Sequence, residues 1–361
     1  MEAKDRLHTW LYGASPATYH LAEDAQDLSG RADPDTLCDF GSITNPYQKF
    51  FIYKYEEPSP DVLSLISGKG MYREIGRYSL RDPDIYSPLL QSVYQTLWPE
   101  LTAQPFMRYK ANGGYRIASD AMTSAMSRLS DALRISVSLT SAPDHADPGM
   151  IERIRAIYAS CQKRAPKQKW WTMLMIALVT ADLSETGRED DFYRMIDREY
   201  PAMAGFLSDC FTVGNYCPVP AGFNGPRSRW GRYDYWDLTL MKIREWYCNE
   251  SGPDADRIFL KEQLLNNHPG SSPDNCRAWL TWFENKGALP QKDGWHSFVD
   301  TLLLQDYVDA DYNVKPFWPG HSWRNPDLPE DREAVNRGLL TISIRIASRS
   351  ARIISACRSR L

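Results

Sequence analysis

The stretch GNYCPVPAGFNGPRSRW, residues 214–230, gathers three glycines and three prolines around two asparagines and two arginines. Glycine and proline break regular structure, and a plain turn has no need of so many polar side chains, so this loop is a candidate site. The competing reading is an interhelical turn in which Asn215 and Asn224 bond their own backbone. A second candidate is PDHADPG at 143–149, where Asp144 stands beside His145. An imidazole takes up a proton near neutral pH. The same residues also suit a surface loop in which Asp147 caps a helix and Pro148 opens it. A third candidate is the C-terminal segment, with Arg345, Arg349, Arg352, Arg358 and Arg360 and no acid after Glu333. At 100° per residue 345, 349 and 352 share one helix face, which would either track a phosphate backbone or pair with the acidic stretches at 253–257 and 306–312. Finally, PFWPGHSWRNP at 316–326 sets His321 between Trp318 and Trp323, as the wall of a ligand pocket or as packing over a junction.

Two of these pieces, taken together, carry a resemblance. ISVSL followed by PDHADPG (135–149), and later FTVGNYCPVPAGFN (211–224), is similar to the HNH-type nuclease segment of bacterial restriction and phage-defence proteins. In that pattern an acid and a histidine, with proline shortly after, precede a glycine-asparagine turn and a closing asparagine. Here the two halves stand roughly seventy residues apart, Ala146 follows the histidine, and Pro218 and Pro220 interrupt the strand after the turn. The resemblance implies His145 as general base, Asp144 and Asn215 as ligands of a divalent metal, Mg²⁺ or Mn²⁺, and Asn224 at the closing segment. Arg227, Arg229 and Arg232 would clamp neighbouring phosphates, and Arg345, Arg349 and Arg352 would extend the contact. A metal held this way neutralises charge developing on a phosphodiester. The function implied is that of an intracellular bacterial protein acting on nucleic acid, a divergent metal-dependent nuclease of a defence system. The rival is a non-catalytic helical protein whose surface binds a protein partner.

Other chemistries are absent from the sequence. There is neither a G-x-x-x-x-G-K-[ST] phosphate loop nor a G-x-S-x-G elbow, and no run of βα units to carry a dinucleotide. No two histidines lie four apart, and the seven cysteines are scattered without a C-x-x-C pair, so a zinc centre is not expected. A net charge of −4 gives no global attraction to nucleic acid or anionic lipid. No window approaches the roughly 18 apolar residues that cross a bilayer, which predicts a cytoplasmic protein without membrane contact.

The elements that must position these residues read as mainly α, a multi-helical body with a small β element and long Pro/Gly-rich loops. An irregular α/β lobe is expected over 1–115, with a strand at 49–57 and helices at 60–67 and 84–98. A helical lobe is expected over 116–361, interrupted by the loop at 211–234. Its predicted helices lie at 120–134, 148–164, 169–183, 189–200, 235–247, 254–267, 273–287, 295–309 and 330–361.

Overall fold

The computed structural model describes residues 3–21, 24, 83–111, 114–123, 197–223, 235–248, 253–265, 267, 269–284, 294–325 and 331–361. Among the described residues are ten α-helices and two small antiparallel sheets, so the fold is mainly α. The expected strand at 49–57, the helices at 60–67, 148–164 and 169–183, and most of those at 120–134 and 189–200 lie outside the described residues.

In chain order the helices are α1 (Ala3–Leu11), α2 (Pro83–Tyr86), α3 (Pro88–Leu97), α4 (Pro99–Thr102), α5 (Met203–Asp209), α6 (Trp236–Cys248), α7 (Pro253–Phe259), α8 (Pro273–Glu284), α9 (Gly294–Thr301) and α10 (Arg332–Arg358). The strands are β1 (Arg108–Ala111), β2 (Gly114–Ile117), β3 (Ser119–Ala121) and β4 (Tyr216–Pro218). None of the described helices is long and apolar enough to cross a membrane.

The predicted helix over 84–98 is split at Ser87. Pro88 has no N–H to continue the first piece but suits the first turn of the next, and the Ser87 hydroxyl accepts the Leu90 N–H. α3 then buries Leu89, Leu90, Val93, Tyr94 and Leu97. Residues 114–117 and 119–121 form β2 and β3, the latter where a helix was expected to begin, and β3 pairs with β4 in the register Asp120↔Cys217. The Asp120 carboxylate accepts the Trp236 indole N–H at 2.6 Å.

α10 organises the rest. Asp331 caps it by accepting the backbone N–H groups of Glu333 and Ala334, and 27 residues at about 1.5 Å each give a rod of roughly 40 Å. Its inner face, with Val335, Leu339, Ile342, Ile346, Ile353 and Ile354, packs against α1, α3, α5 and the 3₁₀ turn Val213–Asn215. One hydrophobic cluster runs from Leu7 through Leu90, Phe206 and Trp236 to Ile354. Described residues on either side of position 115 contribute to this cluster.

Candidate functional site

The Gly-Asn turn is a wedge in the core. A Cβ on Gly214 would lie 2.1 Å from the Ile346 carbonyl oxygen and 2.7 Å from the Ser350 nitrogen, both backbone atoms of α10. Only glycine allows this approach. The Gly214 N–H donates to the Ser350 hydroxyl at 2.9 Å. Asn215 is 1% exposed, and its amide is occupied: Oδ1 accepts the Thr123 N–H at 3.0 Å, while Nδ2 donates to the carbonyls of Thr123 and Cys210 at 3.0 and 2.7 Å. This side chain ties three chain segments together, and the expected metal-ligand role is corrected to a structural one. Its partners in the expected site, Asp144, His145 and Asn224, and the phosphate-clamping Arg227, Arg229 and Arg232, lie outside the described residues.

The arginines of α10 share a face, and for two of them it is the inner one. Arg349 is wholly buried; Nη1 donates to the carbonyls of Gly214 and Tyr216, each at 2.8 Å, and Nε and Nη2 donate to that of Leu302 at 3.3 and 3.1 Å. Arg345 donates to the carbonyls of Lys315 and Pro316 at 2.8 and 2.9 Å and lies over the rings of Tyr307 and Phe317. Neither guanidinium can reach a phosphate, so the expected contact to nucleic acid is corrected for both. Arg352 is more exposed, but it makes a two-pronged pair with Asp306 at 2.9 and 3.1 Å, as the acidic stretch at 306–312 allowed.

The Trp-His-Trp loop closes over the start of α6. Asp237, in the first turn of that helix, accepts the Leu238 N–H through Oδ1 at 2.9 Å and the Phe317 N–H through Oδ2 at 2.7 Å. The same Oδ2 lies 2.5 Å from His321 Nδ1, and both side chains are fully buried. The carboxylate fixes the tautomer with the proton on Nδ1. Trp318 stacks on the imidazole at 3.8 Å between centroids, Tyr235 meets it edge-on at 4.9 Å, and Nε2 has no partner among the described residues. A carboxylate-oriented imidazole with a free Nε2 is the chemistry of a general base, but these rings leave no approach for a reacting atom. The pair acts as a latch, reinforced by the Trp323 indole N–H donating to the Leu238 carbonyl at 2.9 Å. In the sequence Asp237 stands only as one residue of the helix predicted over 235–247, with no local signal that it is the acceptor drawing residues 316–321 together.

The cysteines follow the same pattern. Burial pushes the Cys217 and Cys357 thiols up to about 12, against the weaker opposing charges of Arg349 and Arg360 respectively. Cys210 and Cys276 are also buried, while Cys248 is exposed and Cys38 and Cys161 lie outside the described residues. Alkylation of the native protein near pH 8 is therefore expected to label Cys248 at once and the four buried thiols only on unfolding, as read by peptide mapping. Above the ordinary thiol value of 9.0 the unfolded chain binds fewer protons than the folded one, so this part of the stability is complete below pH 9 and falls between pH 9 and about 12. A denaturation series showing stability rising over that window would contradict it.

The outer face of α10 differs from everything above. From Glu333 to Arg358, at steps of three or four residues, one stripe is exposed at every position, and its middle is apolar: Leu340, Ile344, Ala347 and Ala351. Leu340 and Ile344 are 55% and 60% exposed. Leucine and isoleucine four residues apart on a helix surface form a contiguous apolar patch rather than scattered exposure. No family model, no curated protein and no solved structure matches the chain.

Proposed function

We propose that the protein is a non-catalytic helical interaction protein whose binding surface is the outer stripe of α10. The observation that carries this reading is the continuous exposure of that stripe with Leu340 and Ile344 at its centre. The described residues with catalytic potential support it from the other side: Asn215, Arg345, Arg349 and the His321–Asp237 pair are all engaged inside the fold. The nuclease reading now rests on Asp144, His145, Asn224, Arg227, Arg229 and Arg232, without Asn215 as a metal ligand. Incubation with single- and double-stranded DNA and RNA in Mg²⁺ or Mn²⁺ separates the two. Intact substrate under every condition is expected; cleavage that His145→Ala abolishes would overturn the interaction reading.

A further inference from the structure

Resting on that reading, we infer that the partner of the α10 stripe is a second copy of this chain, with the two helices antiparallel. Two independent features of the stripe favour self-pairing, and both require the helices to run in opposite directions.

The first is size. The stripe is large in its N-terminal half, with Leu340 and Ile344, and small in its C-terminal half, with Ala347, Ala351 and Ser355. In an antiparallel pair with alternating three- and four-residue spacing, position 344 faces 347 of the other copy and 340 faces 351. Each large side chain then sits over a small one along the whole seam. A parallel pair would put Ile344 on Ile344 and leave Ala351 on Ala351 with little apolar area to bury.

Charge distribution gives the second feature. Asp331 and Glu333 lie at its N-terminal end beside Arg332 and Arg337, while Arg352, Arg358 and Arg360 stand at the C-terminal end with no acid beyond Glu333. Within one chain Arg352 is held by Asp306 and Arg358 donates to the Leu11 carbonyl, so the end charge is partly committed already. The antiparallel register that places 344 on 347 also places Glu333 opposite Arg358 twice over, and it opposes the two helix dipoles. A parallel register would set the arginine-rich ends side by side. Arg337, already held by Glu333 in an i,i+4 pair, falls opposite Ser355, about one turn from Arg358 of the other copy.

Leu340 and Ala351 give an orientation test. In the antiparallel register residue 340 lies close to 351 of the other copy, but the two 340 positions are eleven residues apart, about 16 Å along the axis, far beyond the roughly 6 Å that a disulfide spans. In a background with Cys38→Ser, Cys161→Ser and Cys248→Ser, which leaves the four buried native thiols, Leu340→Cys and Ala351→Cys proteins are oxidised separately and as a mixture. Mixed disulfide dimers with little product from either protein alone are expected. Efficient linking of Leu340→Cys to itself would overturn the antiparallel arrangement. Sedimentation of the native full chain over about 1–300 μM is expected to show a monomer–dimer equilibrium, with Ile344→Asp weakening it at least about tenfold. A monomer at the highest loading, or a dimer untouched by Ile344→Asp, would overturn self-pairing. Either result leaves the interaction reading standing, since nucleic-acid cleavage is what removes that.

Discussion

Arg349→Met is expected to lower stability by about 4 kcal/mol, or to prevent folding, measured as the free energy of chemical denaturation. Methionine fills much of the same volume, so the loss reports the hydrogen bonds rather than a cavity. The guanidinium serves the carbonyls of Gly214, Tyr216 and Leu302 from a position without solvent. Removing it strands three buried acceptors, each costing about 1–3 kcal/mol when left unmade, partly offset because a buried cation no longer has to be desolvated. Arg349→Lys should fall between, because an ammonium lacks the planar fork that reaches carbonyls on two separate segments. A loss under about 1 kcal/mol for Arg349→Met would show that α10 and the Gly-Asn turn are not joined through this side chain.

Asp237→Ala is expected to cost about 3 kcal/mol and to release the 316–325 loop. The carboxylate is the common acceptor for the Leu238 and Phe317 N–H groups and the His321 ring, so alanine leaves three donors facing a small void. Because Trp318 and Trp323 belong to this loop, tryptophan emission should shift to the red and proteolysis should nick 316–325 before the rest of the described body unfolds. Asp237→Asn keeps the shape and one acceptor oxygen, but its amide nitrogen only donates, so either the Leu238 N–H or the Phe317 N–H and His321 ring lose their acceptor and an intermediate loss is expected. Unchanged emission and protease resistance in Asp237→Ala would contradict the latch.

Local signals made part of this fold legible. Trp236, Leu240, Ile243 and Trp246 fall at helical spacing within the helix predicted over 235–247, and all four are buried in α6. The predicted 330–361 helix is α10 to within a few residues at each end, with its cap supplied by Asp331. What failed depended on contacts distant in sequence. The helix predicted over 295–309 ends at Thr301, and Leu303 takes a positive φ of 57°, while the Leu302 carbonyl accepts from Arg349, 47 residues away. No periodicity could announce that. Similarly, residues 119–121 pair with 216–218, a non-local ladder that gives no local pattern beyond a short alternation.

The site was misread for a more instructive reason. The clustering of Arg345, Arg349 and Arg352 on one face was correct, but a basic face was assumed to be an outer one. Ile342 and Ile353 lie within about 40° of Arg349 on the same helical wheel, a signal that this face enters the core with its cations bonded to carbonyls. The stripe that does face outward has only two large apolar residues, Leu340 and Ile344, followed by the small Ala347, Ala351 and Ser355, so it gives a weak signal in the sequence. Likewise, the glycine and asparagine of the 214–230 loop were chosen for their chemistry, whereas close approach to α10 required the first and backbone satisfaction the second.

If the outer stripe of α10 is a binding surface, as proposed, it is surplus to the fold of one chain. Chemical denaturation of Leu340→Asp and Ile344→Asp at about 1 μM, where association is negligible, tests this most directly. Midpoints equal to the native protein's, within about 0.5 kcal/mol, are the predicted result for exposed positions. A loss of about 2 kcal/mol or more in either variant would mean that this chain covers the stripe with its own residues, and the binding surface proposed here would not exist.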